Sequence, residues 1–261
     1  MAAIWRALSR GLRLLAYLVA GLWHARRLAG LDEAARSEQV RAWLDGAARV
    51  LGVRVRVEGR ERLSDLPSGS LWLPNHVSWL DIPLLGGLQG GTVFLAKSEI
   101  RHWPVIGRLA RLAGTEFIER GRGSEAAGEA VERGLRHGRQ MVVFAEGTTT
   151  NGHTVRRFHA RLLGAAVRLE RPVVPIALRY FDVAGNRSTA PAFIDNESLW
   201  PSLWRVLSGK GLEARIDVLE PIVPRPDETR SELARRAHRA VSAHVTHRED
   251  QSATPGSSTD G

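Results

Sequence analysis

Apolar positions near the start of the chain recur with helical spacing. Ile4, Leu8, Leu12, Leu15, Val19 and Leu22 fall on one face, and Arg6, Arg10, Arg13, Tyr17, His24 and Arg27 on another. Residues 14–23 (LLAYLVAGLW) form an uncharged run, but a spanning helix needs roughly 20 apolar residues, so the run is too short to cross a bilayer. A basic amphipathic helix of this kind can lie in the headgroup plane with its apolar face down. Trp5 and Trp23 suit that boundary, because an indole is apolar with one polar N–H. A cleaved signal peptide and a helix packed on the protein's own core are the competing readings; the membrane surface is the favoured one. A second helical pattern opens at Asp32 and Glu33, carries Val40, Trp43, Leu44, Ala47 and Leu51 on its apolar side, and stops at Gly52.

Beyond Gly52 the period changes. VRVRVEG (53–59) alternates residue by residue, as a strand with one wet face does. Strand and helix patterns then take turns. LWLP (71–74) leads to a helix near 80–88, TVFLAK (92–97) to one near 103–112, TEFIER (115–120) to 124–136, and MVVFAEG (141–147) to 158–169. VVPIALRY (173–180) and LEARIDVLEPI (212–222) are later strands, before a basic helix around 228–247. This alternation predicts an α/β fold, a mostly parallel β-sheet flanked by helices. The expected organisation is an N-terminal helical membrane-docking region over 1–52, one α/β domain over 53–248, and a polar, disordered tail over 249–261.

Composition narrows the chemistry. The chain has 261 residues and no cysteine, which removes thiol nucleophiles, Cys-ligated zinc and iron–sulfur clusters. Net charge is +9, and all but two of the 37 basic residues (Lys97 and Lys210) are arginine. Such a charge fits a nucleic-acid or membrane partner, or a general preference for Arg over Lys. The arginines are spread along the chain, and no zinc pattern or RNA-recognition signature is present, so no nucleic acid is expected. No His-Glu-x-x-His or comparable cluster is present, so no metal and no tightly bound cofactor are expected.

Four segments carry candidate chemistry, the first three at predicted strand ends, where loops present reactive side chains. Asn75-His76-Val77-Ser78-Trp79-Leu80-Asp81 follows the LWLP strand. On a continuous helix His76 and Asp81 would point about 140° apart. They meet only if His76 sits on the strand-end loop and Asp81 in the next helix's first turn. There the carboxylate can fix the imidazole's tautomer and leave the other nitrogen as a general base. Phe117-Ile118-Glu119-Arg120-Gly121-Arg122-Gly123 places a guanidinium beside glycines, which suits a phosphate. Phe144-Ala145-Glu146-Gly147-Thr148-Thr149-Thr150 offers a carboxylate and hydroxyls that could grip a polyol or orient a basic side chain. Val173-Val174-Pro175-Ile176 sets a proline inside an apolar run, which implies a bulge, an edge or a ligand-lined wall.

In this order, the four blocks resemble the glycerolipid acyltransferase family, which includes 1-acyl-glycerol-3-phosphate (lysophosphatidic acid) acyltransferases. The family's His-x4-Asp signature is met by His76 and Asp81, and its Phe-Ile-(Glu/Asp)-Arg block by residues 117–120. Glu146, Gly147 and Thr148 match its acidic-Gly-Thr block, and Val174, Pro175 and Ile176 its Val-Pro-Ile block. The resemblance runs from about residue 71 to residue 180, and the two N-terminal helices also resemble the family's membrane-docking region. It implies that His76 deprotonates the free hydroxyl of a lysolipid acceptor, which attacks the thioester of acyl-CoA or acyl carrier protein, while Asp81 orients His76. It further implies that Arg120 binds the acceptor's phosphate with Lys97 as a further candidate, that Glu146, Gly147 and Thr148 complete the acceptor site, and that Pro175 shapes an acyl pocket. The expected location is the cytoplasmic face of the inner membrane.

One departure bears on the acceptor. Many members that use lysophosphatidic acid place Arg after Glu-Gly-Thr, where this chain has Thr149 and Thr150; Arg156 and Arg157 follow a short loop later. The stretch EGTTTNGHTVRRFHARLLGAA (146–166) also resembles lyso-ornithine lipid acyltransferases, whose acceptor has no phosphate. The expected reaction is acylation of 1-acyl-sn-glycerol 3-phosphate to phosphatidic acid. Lyso-ornithine lipid acylation is the alternative, and a catalytically inactive membrane scaffold the non-enzymatic one.

Overall fold

The structure, a computed structural model, describes residues 1–102, 106–118, 123–194 and 197–246. Seven strands form one sheet: β1 (Val53–Glu58), β2 (Leu71–Pro74), β3 (Thr92–Lys97), β4 (Glu116–Ile118), β5 (Gln140–Val142), β6 (Val173–Phe181) and β7 (Leu212–Val218). Their spatial order is β1-β7-β6-β2-β5-β3-β4, and every neighbouring pair is parallel except β6 with β7. The mostly parallel α/β expectation is correct. β2 and β6 lie inside the sheet and are buried at every position, as their unbroken apolar runs require. β1 is an edge, with alternate residues wet.

Side chains leave the inner strands with period two and feed a separate core on each face. Trp72, Val174, Ile176, Leu178 and Tyr180 enter one core; Leu71, Leu73, Val173 and Ala177 enter the other. The first core is closed by α1 (Ala2–Ala25), α2 (Glu33–Val50), α4 (Asp81–Gly86) and α8 (Leu199–Ser208). The second is closed by α6 (Gly123–Arg136), α7 (Gly164–Arg168) and α9 (Arg230–Thr246). The short helices α3 (Glu61–Ser64) and α5 (Ile106–Leu112) complete the set among the described residues.

Local expectations met the structure unevenly. The Asp32 side chain caps α2 by accepting from Ala35 N at 2.8 Å, and Gly52 ends the segment at φ +76°. The helix expected over 158–169 is a 3-10 turn (Ala160–Leu163) running into α7. α8 was not anticipated, because Pro201 and two tryptophans obscure the spacing of Leu199, Leu203 and Leu207. The tail over 249–261 lies outside the described residues, as do Trp103, Pro104 and Val105.

α1 packs on the fold through residues of its polar side. Arg6 and Arg10 turn inward: Arg10 donates to the carbonyls of Val206, Leu207 and Gly209, and Arg6 to that of Ser208. These are orphan carbonyls at the end of α8, which an arginine satisfies well. Tyr17 stacks on Trp43 of α2, and Ala7 joins the core. The apolar face, with Ile4, Leu8, Leu12, Leu15 and Val19, is left outward and exposed. No described helix is long and apolar enough to cross a membrane.

Candidate active site

The parallel strands β2, β5, β3 and β4 point the same way, so the loops after them gather at one edge of the sheet. His76 stands on the loop leaving β2. Pro74 is the last ladder residue there, and Asn75 takes over the pairing with its side chain. The buried amide donates to Leu178 O at 3.0 Å and accepts from Leu178 N at 2.7 Å, tying the loop's root to β6. Asp81 is the first residue of α4 and is fully buried. The loop thus folds back as the spacing predicted, and His76 Nδ1 lies 2.7 Å from Asp81 Oδ2.

Asp81 is saturated with donors. Oδ2 also accepts from Val77 N at 2.7 Å and Ser78 N at 2.9 Å, while Oδ1 accepts from the Tyr180 hydroxyl at 2.6 Å. A carboxylate accepting this many bonds acts as an acceptor toward the ring, so Nδ1 carries the proton and Nε2 the lone pair. Tyr180 remains a phenol: burial, then the charge of Asp81, hold its pKa well above the ordinary value. The His76 ring stacks on Phe144, with centroids 3.8 Å apart, and stays 19% exposed. Among the described residues, nothing hydrogen-bonds its Nε2. An imidazole held in this way can take a proton from a ligand hydroxyl.

The Glu146 block abuts the His76 loop from β5. Glu146 is buried, and both carboxylate oxygens are engaged: Oε1 accepts from His76 N at 2.7 Å and Oε2 from Arg156 N at 2.6 Å. Burial raises its pKa, opposed by those two N–H groups. Gly147 turns at φ +74°, where a Cβ would meet His159 Nε2 at 2.9 Å. Thr148 is half-buried beside it. The Thr149 hydroxyl donates to Phe193 O, and Thr150 N donates to His76 O at 2.9 Å. Arg156 and Arg157 are exposed on the following loop.

The remaining candidates divide. Lys97 ends β3 in register with Ile118, at the same sheet edge. Arg120, with Glu119, Gly121 and Arg122, lies outside the described residues. Pro175 is buried in the interior strand β6, opposite a bulge. Ile176 pairs with Val218 and Val173 with Ile222, one residue more on the β7 side than a regular ladder allows. The expected bulge is present, on the segment running from the end of β7 opposite Pro175. No group of three or more acidic, His or Cys side chains that could hold a metal occurs among the described residues.

Sequence reasoning passed over Asn75 and Tyr180 as functional supports. Both are polar groups at the ends of otherwise apolar buried strands, a pattern that signals an internal hydrogen-bond partner.

Comparison with known proteins agrees with this geometry. The family described as Acyltransferase matches residues 54–179. The chain is 41% identical over 244 residues to the lyso-ornithine lipid O-acyltransferase of Pseudomonas aeruginosa, covering 90% of this chain and 92% of that one. It is 34% identical over 195 residues to the 1-acyl-sn-glycerol-3-phosphate acyltransferase of Neisseria meningitidis, covering 74% and 76% respectively. The crystal structure of the 1-acyl-sn-glycerophosphate (LPA) acyltransferase of Thermotoga maritima superposes with a TM-score of 0.72, covering 94% of this chain and 96% of that one at 22% identity, and so shares the fold. With this similarity over nearly its whole length, the chain belongs to the lysolipid acyltransferase family, a group of enzymes that use a lysolipid acceptor and an acyl donor.

Proposed function

We propose that the protein transfers a fatty acyl group from acyl-CoA or acyl carrier protein to the free hydroxyl of a lysolipid, with His76 as general base. The observation carrying this reading is the 2.7 Å contact between His76 Nδ1 and Asp81 Oδ2, with Nε2 free among the described residues. In the proposed step Nε2 takes the proton of the acceptor hydroxyl as its oxygen bonds to the thioester carbonyl carbon. The tetrahedral intermediate collapses with cleavage of the C–S bond, and the thiolate leaves with the proton returned by the imidazolium. Asp81 stabilises the imidazolium without taking the proton. Transfer is direct, and holding both reactants at one base supplies proximity for substrates drawn from different phases.

Glu146 serves by fixing two backbone segments around the base. Gly147 and Thr148 line the acceptor site, Lys97 and Arg120 are cations for an anionic acceptor group, and Pro175 shapes the acyl side. The first acceptor is lyso-ornithine lipid. Two observations support it: the 41% identity to a protein named for that acceptor, and a Thr149 hydroxyl held by Phe193 O where many phosphate-using members place a guanidinium. 1-Acyl-sn-glycerol 3-phosphate is the second reading, supported by the Neisseria relative and by the exposed Arg156 and Arg157. The outward apolar face of α1 seats the protein on the cytoplasmic surface of the inner membrane. Acyl transfer by the purified protein, with both acceptors offered in parallel, tests the choice. Acylation of the lyso-ornithine lipid alone supports the first reading, and acylation of the phosphorylated acceptor alone reverses it.

A further inference from the structure

Helix α8 has two faces with different environments. On its inner face Ser202 is fully buried and its hydroxyl accepts from Trp79 Nε1 at 3.1 Å, inside the loop that carries His76 and Asp81. On its outer face Trp200 is 66% exposed and Trp204 39% exposed, one turn apart. Two indoles left in water next to each other are costly unless something covers them. The end of α8 is held by α1, since Arg6 binds the Ser208 carbonyl and Arg10 those of Val206, Leu207 and Gly209. Trp204 therefore stands one turn from the point where α8 meets α1, whose free side exposes Trp5 and Leu8.

We propose that the Trp200–Trp204 face of α8 is a second lipid-contacting element, which sits with α1 on the surface of an anionic bilayer. The proposal rests on the reading that α1 docks on a membrane. Charge selects the occupant: neither α1 nor α8 contains an acidic residue, while Arg13, Arg26, Arg27 and Lys210 are exposed on or beside them. Basic side chains beside interfacial indoles match anionic headgroups above an acyl boundary. The arrangement also has a consequence for catalysis. The helix that meets the lipid also holds the His76 loop through Ser202, which ties the loop carrying the base to the lipid-contacting element.

The absence of native cysteine allows single-site labelling without background. Trp204→Cys on α8, Leu12→Cys on α1 and Arg239→Cys on α9 each receive an environment-sensitive fluorophore and are titrated with phosphatidylcholine–phosphatidylglycerol vesicles. The expected result is a blue shift and shielding from an aqueous quencher at positions 204 and 12, with position 239 unchanged. Shielding at 12 with full quenching at 204 overturns the proposal and leaves the α1 anchor standing. Full quenching at both overturns the anchor and the proposal with it. Independently, the double variant Trp200→Ser/Trp204→Ser is expected to lose about tenfold in vesicle affinity while keeping its turnover on an acceptor in detergent micelles. Unchanged vesicle affinity in a folded double variant contradicts the proposal.

Discussion

The Tyr180 hydroxyl donates to Asp81 Oδ1 at 2.6 Å from a position 99 residues along the chain. The phenol supports the His76–Asp81 pair from the interior, since Tyr180 is buried while His76 keeps some exposure. Removing it with Tyr180→Phe leaves a buried carboxylate one donor short, a loss of about 1–3 kcal/mol in stability. Turnover is expected to fall by about tenfold with KM little changed, because the base is less firmly placed rather than the substrate less well bound. Steady-state kinetics beside thermal melts measure both effects, and an unchanged kcat in a variant that only melts lower assigns Tyr180 to stability alone.

Asp81→Asn replaces an acceptor by a group that must itself donate. Its amide can serve only some of the His76, Val77, Ser78 and Tyr180 donors, and the ring loses its fixed tautomer. Turnover should fall by about a thousandfold or more, within the range of general-base losses. Steady-state kinetics with circular dichroism as a folding control measure this, and a folded variant with near-native kcat removes Asp81 from the mechanism.

Glu146 gives a signed pH prediction. Burial raises its pKa above the ordinary 4.5, so the folded protein keeps that proton to a higher pH than the unfolded chain does. Its favourable contribution is complete below about pH 4.5 and declines as pH rises through the raised value. The stability advantage of the native protein over Glu146→Gln should accordingly shrink from pH 4 towards pH 7. Urea unfolding of both proteins at the two pH values measures it, and a difference that grows with pH contradicts the assignment.

The two faces of α1 let the proposed docking be tested apart from folding. Truncating it would strip Ala7 from the core and break the Tyr17–Trp43 stack, so loss of binding by a truncation would be ambiguous. Leu8→Gln/Leu12→Gln/Leu15→Gln changes only exposed positions. Its melting temperature should match the native protein's, while sedimentation with anionic vesicles is lost. Retained sedimentation refutes α1 as the anchor.

Much of the architecture was legible in the sequence, for identifiable reasons. The inner strands β2 and β6 are unbroken apolar runs, the edge strand β1 alternates, and Asp32 and Gly52 mark the ends of α2 with the residue types that caps require. The His76–Asp81 meeting was also legible, because only one local geometry lets side chains five apart touch. What stayed hidden depends on long-range contacts. Nothing near Tyr180 in sequence shows that its hydroxyl lies on Asp81, and nothing near Glu146 shows that both its oxygens face backbone N–H groups. The inward turn of Arg6 and Arg10 was invisible for the same reason: the carbonyls they satisfy belong to α8, a helix whose own pattern is masked by Pro201 and its exposed tryptophans.

The role of His76 is tested by acyl transfer with purified native protein and His76→Ala, assayed together in detergent micelles with one acyl-CoA and lyso-ornithine lipid. Steady product formation by the native protein is expected, with a loss of about a thousandfold or more in a variant that still folds and still binds vesicles. Near-native transfer by a folded His76→Ala variant would show that the base lies elsewhere.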